Sequence, residues 1–284
     1  MDREADAYPL LVALQNTSRR YVIRLNHDRT VIDDASAGVT KLFDHLAAAQ
    51  GVIEREVKLS KRKARLEPAA RKKHPPRQER LARLHFSAQK VTLKPPQRTT
   101  LPELEVHVVR VWESDPPEGQ EPIEWKLITS EPIDTPAQIS SVVDWYRARW
   151  VIEEYFKALK TGCAYEKRQL ESKHAMLNAL AVLAPVAWRL LLVRSLSRTN
   201  PGLPATEAFT DTQIKLLTFL NKKLNLKVKL SRKPTIYQTM MVVAELGGHI
   251  KYNGPPGWAI LGQGFDQLLI AELGWAARDA QGHM

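Results

Sequence analysis

Tyr146, Arg149, Glu153 and Lys160 are the residues of this chain whose types and spacing most suggest chemistry. They stand in the run Tyr146-Arg-Ala-Arg149-Trp-Val-Ile-Glu153-Glu-Tyr-Phe-Lys-Ala-Leu-Lys160-Thr-Gly, which has helix-forming composition and meets no Pro or Gly until Gly162. At about 100° per residue the four side chains fall within an arc of roughly 60° on one helix face. The opposite side carries Trp145, Ile152, Tyr155, Phe156 and Leu159, an apolar stripe suited to a core. One helix is thus expected to pack its back and project an aromatic, two cations and a carboxylate from its front. Cations suit phosphate, an aromatic ring suits a nucleobase and a carboxylate suits a divalent metal. The face pattern leaves a plainer alternative open, a solvated helix with i,i+4 pairs such as Arg149–Glu153.

The elements that must position these residues follow from periodicity. A short helix is expected over 5–15, a strand over 20–25 and a helix over 37–49. Val52–Leu59, Leu81–Leu93 and Leu104–Trp112 alternate as strands do, with Pro-rich turns between them. A strand near Trp125 precedes the motif helix, expected over 137–161. An apolar helix follows over 173–197, then Asn200-Pro-Gly-Leu-Pro204 as a linker. Further helices are expected near 205–224, 234–246 and 259–277. The pairs Gly247-Gly248 and Gly254–Gly257 read as turn chemistry between helices.

The spacing Y-x2-R-x3-E-x6-K, with its neighbours Arg149-Trp150, Ile152-Glu153-Glu154 and Lys160-Thr161-Gly162, resembles the YREK helix of bacterial insertion-sequence transposases with a DDE active site, the cut-and-paste "IS four" type. Two more blocks are similar to that family. The opening Met1-Asp2-Arg3-Glu4-Ala5-Asp6 looks like the D-R-E-A-D segment that carries the family's second catalytic aspartate, here Asp2. The block Trp125-Lys-Leu-Ile-Thr129-Ser130-Glu131-Pro132 looks like its W-x-L-x-T-S-E-P segment, at the matching interval before Tyr146. The likeness runs in order over most of residues 1–197. It is weaker beyond, at Leu246-Gly247-Gly248 and Gly254-Pro-Pro-Gly257-Trp258.

The resemblance implies an α/β fold: an incomplete RNase H-like core (1–25 and 123–197), a basic β-rich insert (26–122) and a helical C-terminal dimerisation region (198–284). It implies catalytic, metal-ligating roles for Asp2 and Glu153, with Mg2+ as the cofactor and Mn2+ as its substitute. It implies DNA contacts for Arg24, Trp125, Tyr146, Arg149 and Lys160, with Trp125 stacking on a flipped base. Taken alone, Trp125 reads as an inward-facing strand aromatic, and Arg24 as a polar strand position. The family's first aspartate precedes the second, and here only Met1 precedes Asp2. Asp6, Asp28, Asp33 and Asp34 lie on the wrong side to replace it. The chain is therefore expected to be the C-terminal part of a transposase, without the N-terminal DNA-binding domain and unable to cut DNA alone. Two other readings stay open: a non-catalytic DNA-binding or dimerisation module that inhibits a full-length partner, and a nuclease working with the carboxylates present.

Composition fits such a partner. The net charge is +11 over 284 residues, and residues 51–98 hold 15 Lys+Arg against 4 Asp+Glu, so the remainder balances to zero. That segment is a candidate phosphate-neutralising patch. The single cysteine, Cys163, excludes an internal disulfide, and the eight histidines show no zinc spacing. No secretory signal opens the chain, and its longest purely apolar run, Ala179 to Trp188, is short for a bilayer. Double-stranded DNA at transposon ends, a homodimer in the DNA complex, no membrane and a cytoplasmic, nucleoid-associated setting are the expected partners and place. The apolar face Trp258, Ile260, Leu261, Phe265, Leu268, Leu269 and Leu273 suits either internal packing or subunit contact.

Overall fold

A computed structural model describes residues 1–33, 38–59, 61–62, 76–250, 252 and 254–281. Most of the densest basic stretch, 63–65 and 71–75, lies outside the described residues, as does Asp34. The chain forms two compact units, Met1–Arg149 and Trp150–Met284.

Unit 1 is an antiparallel sheet with helices against it. Its elements are α1 (Tyr8–Asn16), β1 (Val22–Arg24), β2 (Thr30–Asp33), β3 (Gly38–Lys41), α2 (Leu42–Ala47), β4 (Ile53–Leu59), β5 (Arg80–Leu93), β6 (Leu104–Glu113), β7 (Glu124–Thr129) and α3 (Pro136–Ala148). The strand order is β1-β7-β6-β5-β2-β3, and β4 also pairs with β5. Alternation sorts the side chains of β6: Val106 and Val108 join Leu11, Ile23, Leu42 and Leu46 under α1 and α2, while Val109 and Val111 join Val142 and Val143 of α3. The strands of the middle region therefore belong to the same sheet as β1 and β7. Buried carboxylates, Asp6 and Glu113 among them, help hold it together. Asp6 pairs with Arg29 at 2.5 Å and accepts the Asn26 and His27 N–H groups, so it ties α1 to the end of β1. Glu113, fully shielded, takes the fork of Arg80.

The stretch 37–49 departs from expectation. Gly38–Lys41 is a strand, hairpinned onto β2 with Thr30 opposite Lys41, and only Leu42–Ala47 is helical. Val39 and Thr40 are β-branched and favour the pleated surface, which the apolar spacing alone does not register.

The motif helix also differs. Thr135 starts α3 with a reciprocal capping box to Gln138. The helix ends at Ala148, where the Arg149 N–H turns back to the Tyr146 carbonyl at 3.2 Å, an i→i+3 bond. The expected faces are partly exchanged: Tyr146 is buried among Ile139, Val142 and Val143, while Trp145, Ile152 and Phe156 are about half exposed.

Unit 2 is helical: α4 (Trp150–Lys157), α5 (Lys173–Thr199), α6 (Asp211–Lys223), α7 (Ile236–Leu246) and α8 (Trp258–Gln281). Residues Ala158–Gly162 extend α4 as a π-helical turn. Its core gathers Leu159, Leu190, Val193, Leu217, Val242, Leu261 and Phe265. Of the C-terminal apolar face, Trp258, Leu261, Phe265 and Leu268 are spent on this internal core, and Leu273 is exposed. The thiol of Cys163 is buried there as well, and burial pushes it up to about 11. Gly247 is a packing residue rather than only a turn: a Cβ there would meet the Ile260 carbonyl oxygen at 2.0 Å. α5 is long and apolar enough to cross a membrane by length and composition, which its longest unbroken apolar run did not signal. Within unit 2 it buries Ala187, Leu190 and Val193, and Arg189 reaches the Ala208 carbonyl and the Gln213 side chain.

Candidate functional site

In unit 1 five of the singled-out residues stand together: Asp2, Arg24, Trp125, Tyr146 and Arg149. Asp2 is positioned twice. Its oxygen Oδ1 caps a 3-10 turn over Arg3–Ala5 by accepting the Arg3 N–H at 2.9 Å. The backbone just before it is tied to β1, where Met1 donates to Val22 O at 2.6 Å and accepts from Arg24 N at 3.2 Å.

Helix α3 brings the other side. The Tyr146 hydroxyl donates to Asp2 Oδ1 at 3.3 Å, and Arg149 Nη2 lies 3.1 Å from Asp2 Oδ2. Partial burial works to raise the Asp2 carboxyl. The Arg3 N–H, the Arg149 charge, the Tyr146 hydroxyl and the Arg24 charge outweigh it and hold the group below the usual aspartate value. Burial pushes the Tyr146 phenol up; Arg24 opposes that and the Asp2 charge adds to it. Trp125 on β7 meets Tyr146 edge to face, with ring centroids 5.4 Å apart, and is half-buried in the same cluster. It is thus an inward-facing strand aromatic with part of its ring accessible. Arg24, at the end of β1, donates to the Glu124 carbonyl at 3.2 Å.

Beside this cluster lies a cleft of about 220 Å³ lined by Arg3, Arg24, Asn26, Phe43, Glu124 and Lys126. The Lys126 ammonium sits 4.4 Å from the Phe43 ring centre and 2.9 Å from Glu124, which Arg110 also reaches at 3.0 Å. The cleft joins fixed cations to an aromatic surface, a combination suited to phosphate and base. Arg3, Phe43 and Lys126 were not legible as site residues in the sequence. Lys126 follows Trp125 on a strand and so points to the opposite face, and only the placement of α2 shows what it meets there.

The other two motif residues belong to unit 2. Glu153 lies in the first turn of α4, half-buried. Lys160 lies in the π-turn and pairs with Glu166 at 2.9 Å, both groups more than half exposed, a pair of small energetic weight. That turn is fixed from behind. A Cβ on Gly262 of α8 would stand 1.9 Å from the Gly162 carbonyl oxygen, so two backbones touch there. Gly162, read as a helix stop, is therefore also a packing residue. The π geometry changes the angular step between residues, so the 3.6-residue wheel misplaces Lys160 relative to Glu153.

Carboxylate oxygens are the right donors for a hard divalent cation. Among the described residues, however, no group of three or more His, Cys, Asp or Glu side chains stands close enough to hold a metal ion. The described residues therefore do not by themselves make a metal cage, and Asp2 is engaged instead by a guanidinium and a phenol. As it stands, the unit 1 cluster is a cationic, aromatic-lined surface around one anion. The family model described as "Transposase DDE domain" matches residues 2–187, which takes in all of this cluster together with Glu153 and Lys160.

Proposed function

The chain belongs to the transposase DDE domain family, and from that premise we propose that it is the DNA-handling part of a cut-and-paste transposase of the YREK insertion-sequence type. Transposases act on DNA, and this family generally uses divalent metal ions. One observation carries the finer reading: motif residues from distant stretches, Asp2, Arg24, Trp125, Tyr146 and Arg149, meet in one cluster of unit 1.

In this proposal Arg24 and Arg149 bind the phosphodiester backbone near a transposon end, where a phosphate competes with the Asp2 carboxylate for the Arg149 guanidinium. The Tyr146 hydroxyl and the accessible part of Trp125 position the terminal nucleotides. Lys160 adds a phosphate contact from unit 2. Asp2 and Glu153 are the oxygen ligands offered to Mg2+. Residues 1–25 and 123–197 are assigned to an RNase H-like core, 26–122 to a DNA-binding insert and 198–284 to dimerisation. The exposed apolar side chains Phe219, Leu224, Ile270 and Leu273 support a homodimer in the DNA complex. The setting proposed is the cytoplasmic nucleoid.

The test is the salt dependence of binding to labelled duplexes carrying candidate element ends. Wild-type chain is expected to bind. Arg24→Ala combined with Arg149→Ala is expected to flatten the log K against log salt slope by about 0.9 for each phosphate that is no longer neutralised. An unchanged slope in that double variant sinks the assignment of these two residues.

A further inference from the structure

Outside residues 51–98 the charges cancel in total but not locally. Within 222–233 there are six cations, Lys222, Lys223, Lys227, Lys229, Arg232 and Lys233, and no Asp or Glu occurs between Asp211 and Glu245. All six are exposed, and none makes an ion pair among the described residues.

This segment, which joins α6 to α7, is anchored along its length. Exposure alternates residue by residue: Leu226, Val228 and Leu230 are half-buried against the unit 2 core, and Lys227 and Lys229 point away between them. The Lys227 N–H donates to Glu245 at 2.7 Å, and Asn221 donates to the Val228 carbonyl at 3.1 Å. The Ser231 hydroxyl donates to the Lys233 carbonyl at 2.7 Å. Tyr237, at the start of α7, and Phe219, near the end of α6, are about half exposed on either side. Holding like charges along an anchored ridge is unfavourable unless something of opposite sign offsets them. Charges spread along a segment fit a polymer of phosphates, and duplex DNA presents one charge per about 1.7 Å of its axis.

We propose that residues 222–233 form a second duplex-DNA-binding surface, on unit 2, that takes the phosphate backbone without reading sequence. The choice of DNA as the polyanion rests on the transposase reading above. The surface is separate in residues from the motif cluster and from the basic segment 51–98.

The experiment uses the full chain and a random-sequence labelled duplex, measured by fluorescence anisotropy across a salt series. One variant carries Lys227→Gln, Lys229→Gln, Arg232→Gln and Lys233→Gln. A second carries Arg24→Ala and Arg149→Ala. The quadruple variant is expected to keep the wild-type circular dichroism and melting curve, because all four side chains are exposed, and to flatten the salt slope by about two or more. The Lys227→Arg, Lys229→Arg, Lys233→Arg variant is expected to keep the wild-type slope. A quadruple variant with the wild-type slope, beside a second variant whose slope falls, overturns this proposal and leaves the motif assignment intact. Failure of wild-type chain to bind any duplex overturns both. Wild-type binding to phosphatidylserine vesicles that the quadruple variant loses, with DNA binding unchanged, assigns the ridge to a lipid surface and overturns the DNA reading.

Discussion

Asp2 Oδ2 lies 3.1 Å from Arg149 Nη2, so the first turn of unit 1 holds the residue that closes its last helix. The contact makes a carboxylate expected to face metal the partner of a guanidinium expected to face phosphate. It also gives the cluster a titration. The Asp2 carboxyl is depressed in the fold, so its stabilising contribution is full above about pH 4 and is lost as pH falls through the lowered value. Arg149→Ala is expected to raise the Asp2 carboxyl towards its ordinary value, read by carbon-detected NMR titration. Because the Asp2 side chain is 41% exposed, the accompanying loss of stability at neutral pH should stay under about 1 kcal/mol and vanish in acid. An Asp2 titration unmoved by the substitution would show that Arg149 does not hold it.

Tyr146 combines two separable interactions. Tyr146→Phe removes only the hydroxyl and its bonds to Asp2 and Arg24, and should cost about 1 kcal/mol. Tyr146→Ala also empties a site packed by Ile139, Val142 and Val143 and should cost about 3–5 kcal/mol. Urea denaturation followed by far-UV circular dichroism distinguishes them. Equal losses would mean that the ring is not part of the core.

Gly262→Ala should be among the most damaging small substitutions in unit 2. The added carbon meets the backbone oxygen of Gly162, which cannot swing aside as a side chain can. A loss of about 3 kcal/mol or more is expected, seen as a lower melting temperature. Gly274→Ala, in the same helix with open space around its Cβ position, serves as the control and should be neutral or stabilising. Equal melting temperatures for the two variants would remove the close approach.

Purified chain given Mg2+ or Mn2+ is expected to nick supercoiled DNA no faster than background, because the Asp2 carboxylate offered to the metal is held by Arg149 and Tyr146. Nicking that disappears in Glu153→Ala would overturn this expectation and make Glu153 a catalytic residue.

The strands of the sheet were legible where alternation is long. β6 carries Val106 and Val108 on one face and Val109 and Val111 on the other, and period two places them so whatever covers each face. The direction in which α3 turns was not legible. An amphipathic wheel identifies a face but not the neighbour that claims it, and the large, half-polar Tyr146 suits either side. The division of the motif run at Arg149 and the π-turn at Lys160 were hidden for a related reason, since counting residues assumes an unbroken 3.6-residue repeat. The ridge at 222–233 escaped because a total of zero conceals an excess in one place and its counterweight elsewhere. The pairing of Asp2 with Arg149 depends on Met1 and β1 holding the 3-10 turn in place, a long-range arrangement that no local spacing encodes.

The contact of Gly162 with Gly262 makes the C-terminal helix a gauge for the last residue of the motif. A reading-frame interruption after residue 162 and before residue 258 would leave Tyr146, Arg149, Glu153 and Lys160 all encoded. Lys160 would then sit on a turn that has lost the α8 backbone behind it. A search that scores only the motif would count such a product as intact, whereas a search that also requires the distant glycine would not.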